Sequence, residues 1–169
     1  GKYNKKFLGS FGDASILSFG YDKILSHKGG SLILKSPEIY KNCKIFLREN
    51  PIFQNTKIDE KIFNMKLKSL DTEIKQRAKN ALYIYNNLKN KIFIKPKLRK
   101  NDIYWRYPMI YKGNRDSLIK KANKKKIILT KHYPTLNKFQ NDSDLSVARL
   151  FEHNVINLFV KRQKNPNYL

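Results

Sequence analysis

Acidic residues, cysteine, histidine and glycine are all scarce in this chain. Only 13 Asp and Glu stand against 36 Lys and Arg in 169 residues, which leaves a formal charge of +23. One cysteine, Cys43, excludes an internal disulfide, and with only three scattered histidines it argues against a Cys/His zinc site. No apolar run approaches the length of a membrane span. The stretch from Gly1 to Phe19 is interrupted by Asp13 and by Gly and Ser, so it lacks the continuous apolar core of a signal peptide. A reducing cytoplasm is the expected compartment.

What is present is enough to fold. The chain is 40% hydrophobic and 12% aromatic, which supports a core despite the charge. Its length suits one domain or slightly more. A charge of +23 invites a polyanion as partner. The choice of cation weakens that reading. There are 29 Lys and 7 Arg, and Arg is the residue that grips phosphate and guanine as a fork. Asn (18), Ile (18) and Tyr (10) are also abundant, and all share A/T-rich codons with Lys. The densest cluster, Lys120, Lys121, Lys124, Lys125 and Lys126, falls at the expected end of a helix, where cations favour the carbonyl end of the dipole. The charge is therefore read as a solvated face.

Glycine is scarce but concentrated. Six of seven lie in the first thirty residues, at Gly1, Gly9, Gly12, Gly20, Gly29 and Gly30. Such a stretch implies tight turns and close backbone approach. Ala14 to Phe19 and Ser31 to Leu34 read as short buried strands flanking a segment that contains Lys23. Ser36 is a helix cap and Pro37 suits the first helical position. Ile39, Tyr40, Cys43, Phe46 and Leu47 line one face until Asn50-Pro51. Asp59 to Leu88 keeps helical spacing and predicts one long helix. Further strands are expected at Ile92–Ile94, at Ile103–Tyr111 with Pro108 marking an edge, at Ile127–Thr130 and at Val155–Val160. Helices are expected after Asn114 and after Asp142 or Ser143. This alternation predicts an α/β or α+β layered arrangement.

The segment Gly12 to Gly30 reads GDASILSFGYDKILSHKGG. Its pattern of Gly12-Asp13, Ser18-Phe19, Lys23 and Gly29-Gly30 resembles the DegT/DnrJ/EryC1/StrS family of pyridoxal-phosphate-dependent sugar aminotransferases. Tyr107-Pro108, Arg115-Asp116, His132-Tyr133-Pro134 and Val155 to Val160 follow the family's C-terminal part in order and approximate spacing. The resemblance implies an α/β chain holding the last strands of a fold type I large domain and a small α+β C-terminal subdomain. The divisions it implies are residues 1–58 for the end of the cofactor-binding domain, 59–90 for a connecting helix and 91–169 for the small subdomain. Family members are longer, and the likeness begins inside their large domain, so a C-terminal piece is expected.

By the same resemblance the cofactor is pyridoxal 5'-phosphate. Lys23 is its Schiff-base lysine and Ser18 donates to its phosphate. A lysine that attacks a carbonyl must be neutral, which desolvation or neighbouring positive charge favours. Asp13 and Asp22 read as turn residues. His27 either approaches the cofactor or faces solvent, and solvent is the stronger reading. His132 and Tyr133 either line the substrate pocket or merely end a strand before Pro134. Arg48 and Arg106 read as salt-bridging arginines, with nucleotide-phosphate contact as the other option. The implied partners are a nucleotide-linked keto-sugar, an amino donor such as glutamate, and a second copy of the chain in a homodimer. The family's Asn-x-Arg stretch after the lysine has no clear equivalent near Arg48. Two other readings stand beside the enzyme. One is a basic nucleic-acid-binding module that uses Tyr and Phe for stacking. The other is an aminotransferase-like domain without activity.

Overall fold

Strands and helices alternate throughout this computed structural model, which describes residues 1–53, 58–99, 102–131, 133–135 and 145–161. The chain divides into two units, Gly1–Ile74 and Lys75–Leu169. The first begins with a small antiparallel ribbon, β1 (Lys2–Tyr3) and β2 (Lys6–Phe7). Its turn residues Asn4 and Lys5 both have positive φ, 46° and 65°, as a primed two-residue turn requires.

Next, β3 (Ala14–Ser18) pairs antiparallel with β4 (Gly30–Leu34), in a register running from Ala14 opposite Leu34 to Ser18 opposite Gly30. Both strands fall where the sequence places them, but they are not buried. Ile16 is 82% exposed, and Leu17, Leu32 and Ile33 are also exposed. The reason is geometric: a two-stranded ribbon has two faces and two edges. Among the described residues, neither face is covered. Phe19, just beyond β3, is the buried apolar side chain of this unit among the described residues.

Helix α1 (Pro37–Glu49) begins and ends as its sequence dictates. Ser36 Oγ accepts from the N–H groups of Glu38 (3.2 Å) and Ile39 (3.4 Å), and Pro37 occupies the first turn. At the other end the Asn50 backbone and side-chain N–H groups both donate to Phe46 O. Its apolar face is nevertheless open, with Tyr40, Phe46 and Leu47 exposed and Cys43 half-buried. After a 3-10 turn at Pro51–Phe53, the expected long helix is two: α2 (Glu60–Lys68) and α3 (Leu70–Asn87). Ser69 divides them. Its hydroxyl donates to Lys66 O at 3.0 Å, a local bond that competes with helix continuation. Its own carbonyl accepts from Glu73 N and so starts α3. The sequence pattern misses this break because apolar spacing continues through it.

The second unit is built on a four-stranded antiparallel sheet in the order β5 (Phe93–Ile94), β6 (Tyr107–Tyr111), β8 (Val155–Leu158), β7 (Leu129–Lys131). Tyr107, Met109 and Ile156 on the sheet join Ala81 and Ile84 of α3 and Val160 in one buried cluster. Each aliphatic side chain of this size buried so contributes about 1.5–3 kcal/mol. Pro108 lies in an inner strand, not at an edge. It is tolerated because β5 reaches only Ile110 and Tyr111, so among the described residues β6 has no strand paired on that side at Pro108.

Helix α4 (Arg115–Lys124) is capped by Asn114, whose Oδ1 accepts from Ser117 N at 2.9 Å. It closes with the N–H of Ile127 on Ala122 O and that of Lys126 on Asn123 O. Lys126 adopts the left-handed φ of 60° that this closure needs. The lysine cluster therefore sits at a helix carbonyl end, as expected. Helix α5 (Ser146–Asn154) follows Leu145, which makes no side-chain cap bond, and the expected starts at Asp142 or Ser143 lie outside the described residues. Its carbonyl end is closed by Arg115, which donates through Nη1 to Glu152 O and, at 3.5 Å, to Val155 O. Among the described residues no helix is long and apolar enough to cross a membrane.

Candidate active site

The Lys23 segment is a loop that leaves the end of β3 and returns to the start of β4, so the closing of that loop decides where the amine can go. Backbone bonds close it at three places. Phe19 N–H donates to Gly29 O (2.9 Å), His27 N–H to Phe19 O (2.6 Å), and Lys23 N–H to Gly20 O (2.9 Å). The glycine pair expected to permit close approach does so by two different means. Gly29 takes a φ of +73°, where an L side chain is strained. Gly30 lies so close to β3 that a Cβ would stand 2.5 Å from the Leu17 carbonyl oxygen.

Inside the loop, three side chains gather beside Gly20. A Cβ placed there would lie 3.8 Å from Ser18 Oγ, 3.8 Å from Asp22 Oδ1 and 3.9 Å from Lys23 Cγ. Lys23 is half-buried and Ser18 is exposed at the strand end. Ser18 Oγ also accepts from Gly20 N–H at 3.5 Å, which leaves the hydroxyl proton available to a further acceptor. A hydroxyl donor and a half-buried lysine on the same small turn suit a group that carries both a phosphate and an aldehyde. The residues present therefore fit pyridoxal phosphate.

His27 departs from its reading as a solvent-facing residue. It is half-buried, and its Nε2 accepts from the backbone N–H of Asp59 at 3.1 Å. Its ring also meets Phe63 edge-on, with centroids 6.3 Å apart. Nothing in the local spacing announces this, because Asp59 is 32 residues away. Lys66 was equally hidden among the 29 lysines, yet it donates to Ser26 O and Oγ in this loop.

The other candidates belong to the second unit or lie outside the site. Tyr133 is 69% exposed. The segment after it is held by Thr135, whose N–H and Oγ1 both donate to Glu152 Oε2 at 3.1 and 2.8 Å. His132 lies outside the described residues. Arg106 is half-buried between the rings of Trp105 and Phe159, at 4.1 and 4.9 Å, and donates to Thr130 Oγ1 at 3.1 Å. Arg48 is exposed in the last turn of α1.

Residues 1–161 match the DegT/DnrJ/EryC1/StrS aminotransferase family. The chain belongs to this family. Solved structures agree on the fold. The Helicobacter pylori protein PseC, an aminotransferase involved in the biosynthesis of pseudoaminic acid, superposes with a TM-score of 0.79 at 20% identity, over 99% of this chain and 53% of that one. The aminotransferase TlmJ from Streptoalloteichus hindustanus gives a TM-score of 0.78 at 17% identity, over 96% and 50% of the two chains. The E. coli GDP-4-keto-6-deoxy-D-mannose-3-dehydratase, solved with bound hydrated PLP, gives 0.73 at 16%, over 94% and 52%. The family member thus has the mixed α/β fold of the fold type I sugar aminotransferases and spans about half the length of these solved relatives. No curated protein matches the sequence.

Proposed function

We propose that this chain is the lysine-bearing part of a pyridoxal-phosphate-dependent aminotransferase. The enzyme moves an amino group, from glutamate, to a keto-sugar carried on a nucleotide, for surface-polysaccharide or aminosugar synthesis. It works in the cytoplasm as a homodimer. The observation that carries this reading is the gathering of Ser18 and Lys23 beside Gly20, in a loop closed by backbone bonds at Phe19 and Gly29. Family membership supports the cofactor and the reaction class.

When bound, pyridoxal phosphate supplies a carbonyl that captures amines and a sink for the electrons left when a proton leaves carbon. This chain supplies position and proton transfer. Ser18 Oγ donates its free proton to the phosphate and fixes that end of the group. Lys23 Nζ would hold the group through its carbonyl carbon, a role in which the amine must be neutral. The same Nζ then carries the proton that leaves the donor's α-carbon and returns one to the acceptor carbon in the second half-reaction. Exposed apolar side chains on β3, β4 and α1 support the view that these elements are covered by further protein in the working enzyme.

The test uses the full-length gene product that carries these residues. Borohydride reduction in the presence of pyridoxal phosphate is expected to label Lys23, and Lys23→Ala to abolish the label. Ser18→Ala should weaken cofactor retention on the order of tenfold, as expected for one hydrogen bond to a charged group. A label on another lysine would remove the site assignment. No label on any lysine would remove the enzyme reading.

A further inference from the structure

Helix α2 is almost entirely solvent-exposed. Of its nine residues only Phe63 and Lys66 are withdrawn from water, and both face the Lys23 loop. Together with the cap residue Asp59 they fall at spacings of four and three, which is one face of a helix. Each makes a different kind of contact. The Asp59 backbone N–H donates to His27 Nε2 at 3.1 Å, while its carboxylate caps the helix on Ile62 N at 3.0 Å. Phe63 packs edge-on against Phe19, with ring centroids 4.9 Å apart. Lys66 Nζ donates to the Ser26 carbonyl and, at 3.3 Å, to the Ser26 hydroxyl. The three contacts hold the loop at Phe19, Ser26 and His27, on both sides of Lys23.

The arrangement is costly unless it is useful for order. A lysine side chain loses much of its rotamer freedom when fixed. Among 29 lysines, most of which lie in solvent, Lys66 spends that freedom on a single loop. The loop from Phe19 to Gly29 runs eleven residues, and β3 and β4 beside it are exposed.

We propose that α2 is a clamp that sets the position of the Lys23 amine, with Lys66 and Phe63 as its positioning residues. This rests on the function proposed above for Lys23. Lys66 acts through the Ser26 backbone, three residues from the reacting amine, and Phe63 through the buried Phe19 ring. Neither touches the reacting atoms. Without the clamp the loop remains closed at Phe19 by its own backbone bonds, but the arc from Gly20 to His27, which carries Lys23, gains freedom.

The experiment compares Lys66→Met, Lys66→Arg and Phe63→Ala in the full-length gene product. Lys68→Met, an exposed position on the same helix, is the control. Hydrogen exchange at residues 20–28 is read first, without cofactor. It should rise on the order of tenfold in Lys66→Met and Phe63→Ala, as expected for losing one charge-assisted bond or one ring contact. Exchange in β6 and β8 should not change. Lys66→Arg, which keeps charge-assisted donors, should restore protection. The second readout is the rate at which Lys23 captures pyridoxal phosphate and the pH at which the resulting absorption band titrates. Lys66→Met should slow capture about as much as it loosens the loop and should move the titration midpoint; Lys66→Arg and Lys68→Met should do neither. Unchanged exchange at residues 20–28 in Lys66→Met overturns the clamp, as does raised exchange with unchanged capture. If Lys23 captures nothing even in the unaltered protein, the function proposed above fails, while the exchange readout still decides whether α2 holds the loop.

Discussion

Replacing Gly30 by alanine separates the fold of the lysine loop from its chemistry. A Cβ at this position stands 2.5 Å from the Leu17 carbonyl oxygen, well inside van der Waals contact. The obstacle is backbone, so no side-chain rotation can relieve it. β4 must move away from β3 at the Ser18–Gly30 end of the ribbon, the end that carries the loop. Overpacking of this kind costs about 1–3 kcal/mol. Gly20→Ala is the matched comparison. Its nearest neighbours, Ser18 Oγ, Asp22 Oδ1 and Lys23 Cγ, are 3.8–3.9 Å away, an ordinary contact distance. That variant should fold as well as the parent, or better by a few tenths of a kcal/mol through reduced freedom in the unfolded chain. It does, however, put a methyl group where Ser18 and Lys23 converge. Chemical unfolding and hydrogen exchange of the β3–β4 amides measure the first effect, and borohydride labelling of Lys23 measures the second. Gly30→Ala should lose exchange protection in the ribbon. Gly20→Ala should keep protection and lose labelling. The opposite pattern, a stable Gly30→Ala ribbon beside an unfolded Gly20→Ala one, would refute the close-approach argument.

Three further outcomes follow from the second unit. Tyr107 is fully buried and its hydroxyl has no hydrogen-bond partner among the described residues, so Tyr107→Phe should be neutral or stabilising by about 1 kcal/mol in urea unfolding; clear destabilisation would show that the hydroxyl is satisfied. Burial first, then the neighbouring Tyr104 and Tyr85 hydroxyls, push the Tyr107 pKa up from 10.0 to about 12. The folded state thus favours the protonated form. Its contribution is complete below the unfolded pKa and is lost as pH rises through about 10 to 12, so the parent protein should lose stability in that window relative to Tyr107→Phe. Arg115→Met leaves the Glu152 and Val155 carbonyls at the end of α5 without their donor and should lower the stability of the second unit by about 1.5–3 kcal/mol, read as faster exchange in α5 and β8.

The sequence by itself determined the local elements whose signals are chemical and short-range. Ser36-Pro37 and Asn50-Pro51 bound α1, Asn114 starts α4, and the Gly12–Gly30 pattern carries both the family and the lysine loop. These depend on caps, turn residues and motif spacing, which lie within a few residues of what they specify. The tertiary structure alone decided what depends on partners far along the chain. It divided the expected long helix at Ser69, because a hydroxyl-to-carbonyl bond is invisible to apolar periodicity. Pro108 came to lie within the sheet, because β5 is too short to meet it. Strands that read as buried are exposed on β3 and β4, because burial requires a covering layer and an apolar pattern only requests one. His27 and Lys66 joined the site through Asp59 and Ser26, 32 and 40 residues away. The charge of +23 named no partner at all; what distinguishes Lys23 and Lys66 from the other lysines is which atoms the fold sets beside them.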